Sequence, residues 1–180
     1  PAREVWLTHH HVDHVGGLAP LAARGLPVRA HTETARRLAG GASFLPVEDG
    51  EILHGRWRAL FTPGHAPGHL CFLDERSGAL VAGDMVSTLS TVVIDPPEGD
   101  MGLYVSSLER LRGLPARTLY PAHGSPAPSA AAKLDEYLEH RRLRTAKVEA
   151  ALTPGGTLSE VTRAAYDDTP PFLLPVAERS

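Results

Sequence analysis

The chain has one cysteine, Cys71, and no asparagine or glutamine among its 180 residues. A single cysteine excludes an internal disulfide framework and is typical of a reducing compartment, so we expect a cytoplasmic protein. No apolar run approaches the ~20 residues that span a bilayer, so no membrane partner is expected. The net charge of −3 gives no overall field that favours nucleic acid. Scarce lysine and absent amides suggest a bacterial source.

The chain is instead rich in histidine near its amino end. His9, His11 and His14, together with Asp13, directly follow the apolar run at residues 4–8, which has a strand pattern. Imidazole and carboxylate groups on a strand-to-helix loop can converge on one point, and zinc, iron and manganese accept such ligands. The sequence therefore predicts a metal site at this loop.

Three further candidate ligands follow short apolar runs. His69 ends a glycine-rich turn between two strand-like runs, Asp84 ends the run at residues 79–84, and His123 follows the run at residues 119–122. Loops at the carboxyl ends of strands gather at one edge of a sheet, where sites are usually built. We therefore expect these side chains to join those of the amino-terminal loop.

The order of these motifs resembles the metallo-β-lactamase superfamily. The chain carries H-x-H-x-D-H, a G-x-x-x-G-H turn, Gly-Asp and Pro-x-His-Gly, and the matching residues are His9, His11, Asp13, His14, His69, Asp84 and His123. The resemblance implies an α/β (α+β) fold, the αββα sandwich of that superfamily. Because its first strands precede the histidine motif, which here lies close to Pro1, we expect a sandwich lacking its N-terminal strands, with those strands upstream in the parent protein.

The resemblance also implies a dinuclear centre. By the family pattern the ligands form two sets joined by a bridging carboxylate: His9, His11 and His123 for one metal, Asp13, His14 and His69 for the other, and Asp84 between them. Two divalent ions are expected, with zinc first and iron or manganese as alternatives. Such a pair activates a metal-bound hydroxide at neutral pH. Asp13 is the expected catalytic residue, which orients that water or takes its proton.

Other polar residues near these motifs receive different interpretations. His10 alternates with two expected ligands, so it should point away from the metals. His65 is interpreted as holding its loop or supporting a ligand. Cys71 is interpreted as a small core residue. The breaker-rich loop at residues 95–100 either borders the site or merely connects two elements.

We divide the chain into a catalytic domain, residues 1–128, and a helical extension, residues 129–180. The tail resembles the winged-helix-like extension of the β-lactamase-like 2 group, which is related to glyoxalase II. A helix is predicted over residues 129–152, and Thr157 and Glu160 have the spacing of a capping box.

The first tail helix carries four cations, Arg141, Arg142, Arg144 and Lys147. They either contact phosphates of an RNA or form a solvated helix face with i,i+4 pairs. Metal-assisted hydrolysis serves several substrates, so two functions stay open. One is a hydrolase of small-molecule esters or thioesters, which we favour, and the alternative is a single-strand endoribonuclease with the same metals.

Overall fold

Two sheets organise the part of the chain that the computed structural model describes, residues 2–38 and 43–179. The first sheet has three parallel strands in the order β1 (Val5–Trp6), β2 (Val28–Ala30) and β3 (Phe44–Pro46). The second has five strands in chain order: β4 (Ile52–Leu53), β5 (Trp57–Phe61), β6 (Leu70–Asp74), β7 (Ala79–Gly83) and β8 (Thr118–Pro121). Its pairs are antiparallel except that β7 and β8 run parallel.

The helices lie before, between and after these strands. Their bounds are α1 (Val12–Val15), α2 (Leu18–Ala23), α3 (Thr32–Arg37), α4 (Met101–Arg112), α5 (Ala130–Ala151), α6 (Leu158–Ala165) and α7 (Leu174–Ala177), with a 3₁₀ turn at Pro171–Leu173. Within the described ranges no helix combines the length and hydropathy that a membrane crossing requires. The capping box predicted for Thr157 and Glu160 is present at the start of α6.

Strand β6 explains how the second sheet is held between two layers. Successive side chains of a strand point to opposite faces, and all five residues of β6 are buried. Leu70 and Phe72 join a cluster shared with Trp6 of β1, and the Trp6 and Phe72 rings lie 5.3 Å apart. Cys71 and Leu73 join the cluster formed with α4 and α5. The second sheet therefore packs on the first sheet through one face and on helices through the other.

Strand β1 shows the same alternation in the first sheet. Trp6 faces the second sheet, whereas Val5 and Leu7 join an apolar cluster with Val15 of α1 and Leu18 of α2. The layers are therefore helices, three-stranded sheet, five-stranded sheet and helices. The expected αββα sandwich is confirmed for the described residues.

The helical extension follows the sandwich, as predicted, but it is not separate from the sandwich core. Helix α5 begins at its N-cap Ser129, and Ala130, Leu134 and Tyr137 lie in the core cluster beneath the five-stranded sheet. The later part of α5 packs on α6. The domain boundary at residue 128 and the likeness to a winged helix stay predictions.

Candidate metal centre

One edge of the two sheets collects the histidine-bearing loops. The carboxyl ends of β7 and β8 lie side by side because these strands are parallel. Asp84 follows β7, and His123 follows β8. The loop after β1 is joined to this edge by a hydrogen bond of 2.8 Å from the Leu70 backbone N–H to the Thr8 carbonyl. The fold thus brings distant motifs together.

Four side chains form the first group of potential ligands. His9, His11, His65 and Asp84 each offer an atom, and these atoms lie within 4.8 Å of one another. His9 Nε2 and His65 Nε2 are each 3.0 Å from His11 Nδ1. In a tetrahedral zinc site, with bonds of about 2.0–2.1 Å to nitrogen, ligand nitrogens lie roughly 3.3 Å apart. The spacing therefore fits a shared metal ion.

Asp13, His14 and His123 form a second group, and Asp84 faces both groups. Asp13 Oδ2 is 3.1 Å from His123 Nε2. Asp84 Oδ1 is 3.3 Å from His14 Nε2 and 3.5 Å from His123 Nε2, while its Oδ2 is 3.5 Å from His65 Nε2. A carboxylate with one oxygen toward each group is placed to bridge two ions.

Three histidines are placed differently from the expected ligand sets. His123 was expected in the first group and lies in the second. His65, expected only as a support, lies in the first group, whereas His69 belongs to neither group among the described residues. Both histidines occur in one turn, and the pattern of residue types gave no indication of which ring faces the site. The useful signal is the position of His69 directly before a fully buried strand.

His69 is fully buried, and both of its ring nitrogens have protein partners. The Asp84 backbone N–H donates to His69 Nε2 at 3.1 Å, so Nδ1 carries the proton and donates to Thr62 Oγ1 at 2.8 Å. Burial lowers the pKa of His69 to about 3, which keeps the ring neutral. A Cβ at Gly83, where φ is +49°, would lie 2.6 Å from His69 Nε2. His69 thus holds the backbone of Asp84 in place.

Cys71 continues this buried chain of hydrogen bonds. Its Sγ lies 3.3 Å from Thr62 Oγ1 and donates to the Ala82 carbonyl at 3.4 Å. Burial raises the pKa of the Cys71 thiol to about 12. A thiol that stays protonated and buried is no nucleophile, which agrees with the interpretation of Cys71 as a core residue.

In the second group burial lowers the pKa of His14, but the interaction with Asp84 outweighs it and the pKa is raised. In the first group burial has the larger effect. It lowers the pKa of His9, His11 and His65, and neighbouring imidazoles lower the pKa of His9 and His11 further. For Asp84 burial opposes ionisation, but the interaction with His14 outweighs it and the pKa is lowered. Neutral imidazoles and an ionised carboxylate are the forms that bind metals.

Two buried polar atoms at the centre have no hydrogen-bond partner. They are His14 Nε2 and Asp84 Oδ1. Leaving such atoms unsatisfied costs about 1–3 kcal/mol each, so native proteins rarely do it without a ligand. In His65 and His14 the ring nitrogen that points away from the centre has a protein partner. His65 Nδ1 donates to the Val93 carbonyl at 3.0 Å, and His14 Nδ1 lies 3.2 Å from Thr8 Oγ1. The residues therefore fit two divalent metals.

A small cavity opens beside the first group. It has a volume of about 350 Å³ and is lined by His11, His65, Val93 and the loop at residues 95–98. That loop therefore borders the site, one of the two roles considered for it. His10 Nε2 pairs with Glu98 Oε2 at 2.9 Å, and Glu98 also accepts from Arg37 at 3.0 Å. His10 accordingly joins neither group.

The four cations of α5 all have partners within the chain. These are the Val92 carbonyl for Arg141, Glu139 for Arg142, Asp168 for Arg144, and Asp167 for Lys147. Three of the four cations pair with carboxylates. Arg142 is the most exposed of the four, at 65% of its side chain. The cluster is therefore a paired helix face with one inward-pointing member, Arg141, which is 5% exposed.

Family comparison agrees with this geometry. A model of the Metallo-beta-lactamase superfamily matches residues 2–123. The chain belongs to the metallo-beta-lactamase superfamily. The matched region contains every residue of both groups.

Several fungal members of this superfamily are similar in sequence. Lactamase-like protein vrtG of Penicillium aethiopicum is 32% identical over 92% of this chain and 56% of its own length. Lactamase-like protein nscB of Trichophyton verrucosum is 34% identical, with coverage of 94% and 63%. Lactamase-like protein adaB of Aspergillus niger is 37% identical, with coverage of 82% and 45%. The chain thus spans about half the length of these relatives.

Solved metallo-β-lactamase structures cover the sandwich and, in one case, the tail. A metallo-beta-lactamase family protein from Thermus thermophilus is 25% identical with a TM-score of 0.79, over 99% of this chain and 71% of that protein. TTHA1623, solved in a di-iron-bound form, is 32% identical with a TM-score of 0.63, over 78% and 76%. The first match extends through the C-terminal helices.

Proposed function

We propose that this chain binds two divalent metal ions and hydrolyses a small-molecule ester or thioester. The observation that carries the proposal is the position of Asp84, whose two carboxylate oxygens face two separate groups of histidines. A bridging carboxylate between nitrogen-rich groups is the arrangement of a two-metal hydrolytic centre.

The proposed ligands follow the observed groups. His9, His11 and His65 hold the first ion, Asp13, His14 and His123 hold the second, and Asp84 contributes one oxygen to each. Zinc is proposed first because imidazole-rich sites suit it, while iron gains support from the di-iron form of TTHA1623. His69 acts behind Asp84 rather than as a ligand.

Two bound ions supply acidity to a water molecule and stabilise negative charge on a substrate oxygen. The side chains of the protein position the water and the ligands. Asp13 has a side chain that is 51% exposed, so a water at the mouth of the site can reach its carboxylate. Asp13 is proposed to orient that water and accept its proton. His69 and Val93 keep Asp84 and His65 in place, which preserves the distance between the two groups.

The substrate class is proposed from the surroundings of the centre. The adjoining cavity of about 350 Å³ accepts part of a small molecule. A single-stranded RNA would need free cations along its path, and the α5 cations are engaged within the chain. The contacts therefore favour a small ester or thioester over RNA.

The test compares the metal-loaded chain with Asp84→Asn, using Asp135→Asn as a matched control. Asp135 is an exposed carboxylate paired with Arg112 at 2.7 Å, outside the centre. Metal content is measured by elemental analysis, and turnover is measured on a panel of aryl esters, aryl thioesters and a labelled single-stranded RNA. We expect Asp84→Asn to lose metal and more than about 100-fold in kcat/KM, beyond the range typical of changes behind the ligands.

Each result has a defined meaning. Ester or thioester turnover that disappears in Asp84→Asn and persists in Asp135→Asn supports the proposal. RNA cleavage with the same dependence, and no ester turnover, replaces the proposed substrate with RNA. Full turnover by Asp84→Asn with one or no bound metal would contradict the dinuclear centre itself.

A further inference from the structure

Arg141 has a buried charge with no carboxylate to balance it. The side chain is 5% exposed, donates to the Val92 carbonyl, and has its guanidinium carbon 5.1 Å from the centre of the Tyr104 ring. Its Nε is buried without a hydrogen-bond partner, and no described carboxylate forms an ion pair with it. A buried charge is costly unless it is paired. This guanidinium therefore has the environment of a group that binds an anionic partner.

A cavity lies beside this guanidinium, between α5, the loop at residues 90–93 and the C-terminal helices. Its volume is about 530 Å³, within the range of roughly 300–1,000 Å³ typical of small-molecule sites. Arg141 lines it together with Val92, Leu173 and Val176. Ser90, Thr91 and Thr169 also line it, so apolar and hydroxyl-bearing walls surround an unbalanced cation.

A second polar atom in this cavity also lacks a partner. His140 Nδ1 is buried and makes no hydrogen bond. Burial, followed by the neighbouring Arg141 and Arg144, lowers the pKa of His140, so its ring is neutral and adds no charge. Arg144 is paired with Asp168 at 2.9 Å. The charges of the lining side chains therefore sum to one positive charge, that of Arg141.

The cavity adjoins the metal centre at one residue. Val93 lines this cavity and also the smaller cavity at His11 and His65. The Val93 carbonyl accepts the hydrogen bond from His65 Nδ1. Val93 therefore lies between a molecule held by Arg141 and the first group of ligands.

We propose that this cavity binds the acyl part of the substrate, an apolar group that carries a carboxylate, with Arg141 as the anchor of that carboxylate. The proposal rests on the proposed hydrolysis and adds a substrate class to it, acidic apolar acyl esters or thioesters. The carboxylate pairs with the Arg141 guanidinium, and His140 lines the same cavity.

Binding is tested on the zinc-loaded chain without turnover. The probes are 1-naphthoate and its neutral counterpart 1-naphthamide, followed by NMR shifts of the Arg141 Nε–H and the Val93 and Val176 methyl groups. We expect naphthoate to shift these signals and naphthamide to bind about 10–100-fold more weakly, the effect of one charge-assisted hydrogen bond in a buried site. Arg141→Met should remove that preference, while the exposed Arg142→Met should retain it.

Two further variants separate binding from folding. Arg141→Met is checked by circular dichroism and thermal unfolding, and Val176→Trp fills the cavity without removing any contact of Arg141. Val176→Trp should also abolish the binding of naphthoate. Equal binding of the two probes would overturn the proposal. Naphthoate could instead bind the metals alone. In that case only signals of the ligand histidines would shift, Arg141→Met would not change these shifts, and the proposal would be overturned.

Kinetics then test the substrate class. Aryl thioesters with and without a distal carboxylate should differ in KM, and Arg141→Met should raise KM by about 10–100-fold for the acidic series only, with kcat little changed. Because naphthoate binding is measured without turnover, a lack of hydrolysis would contradict the proposed function and not the cavity. Conversely, turnover with no preference for acidic acyl groups would contradict only the cavity assignment.

Discussion

Titratable side chains are concentrated in two regions of the molecule, the edge where β7 and β8 end and the second half of α5. At the edge, inward-facing atoms such as His14 Nε2 and Asp84 Oδ1 are buried and make no hydrogen bond, although they lie 3.3 Å apart. On α5, exposed cations such as Arg142 and Lys147 pair with nearby carboxylates. The exposed cations of α5 are therefore satisfied within the chain, whereas the inward-facing atoms of the edge are not.

The difference indicates which property marks a ligand site. Surface ion pairs form because long side chains meet easily in water, and they contribute little free energy. A buried polar atom without a partner is costly and persists where a ligand supplies the missing interaction. By this criterion Arg141 belongs with the metal edge, although it lies within the cation cluster of α5. The following variants test that division, beginning with the largest expected effect.

The first prediction contrasts two histidines of one turn. His65→Ala should remove one metal equivalent and lower kcat/KM by more than about 100-fold, because a ligand is lost. His69→Ala should keep more metal and lower activity by about 10–100-fold, as expected for a residue that supports a ligand. His69→Ala should also lower the free energy of unfolding by about 1–3 kcal/mol, because the Asp84 N–H loses its acceptor.

Elemental analysis, kinetics and urea unfolding of the metal-free protein measure these effects side by side. The neighbouring Arg76→Ala, on an exposed turn after β6, serves as a control that should change none of them. If His69→Ala lost a whole metal equivalent while His65→Ala kept two, the assignment of His65 as the ligand would be wrong.

The strands could be predicted from sequence where their pattern was strong. Residues 57–61 were predicted as a strand and form β5, and the predicted helix at residues 129–152 agrees closely with α5. Both elements have apolar residues at a regular period. Six of the seven residues in the two groups were also predicted, because they follow apolar, strand-like runs and match the order of the family's motifs.

His65 and Arg141 occupy places that the sequence did not indicate, for a common reason. Sequence gives the types of residues in a turn or a helix but not which atoms are left without partners after packing. The helical period did contain a usable signal for Arg141, since it follows Leu134 and Tyr137 at spacings of three or four and so shares their buried face. For His65 the direction of the ring depends on its hydrogen bond to Val93, which lies far along the chain.

A smaller effect is expected from the loop that joins the two regions. The Tyr137 hydroxyl accepts from the Ser87 N–H at 2.8 Å and also lies 2.8 Å from the Ser90 carbonyl, to which it donates. Tyr137→Phe should lower the free energy of unfolding by about 1–3 kcal/mol, because the Ser87 N–H is left unsatisfied in the interior. Activity should fall only several-fold, since the Ser87 hydroxyl still contacts the His123 carbonyl.

Urea unfolding and steady-state kinetics measure both effects, and Tyr120→Phe, at a 42% exposed tyrosine, is the matched control. An unchanged free energy of unfolding in Tyr137→Phe would mean that α5 does not support the loop. The C-terminal helices would then be less closely connected to the metal centre than the contacts indicate.

The smallest effect is expected for the exposed cations of α5. Arg142 pairs with Glu139 at a spacing of three residues, and their side chains are 65% and 54% exposed. Arg142→Met should therefore change the free energy of unfolding by no more than about 0.5 kcal/mol, as is typical of exposed pairs. Urea unfolding of Arg142→Met and Arg141→Met under the same conditions gives the comparison directly. A loss above about 1 kcal/mol in Arg142→Met would make exposed charge as important here as burial, whereas a near-zero change would agree with the exposed, paired position of Arg142.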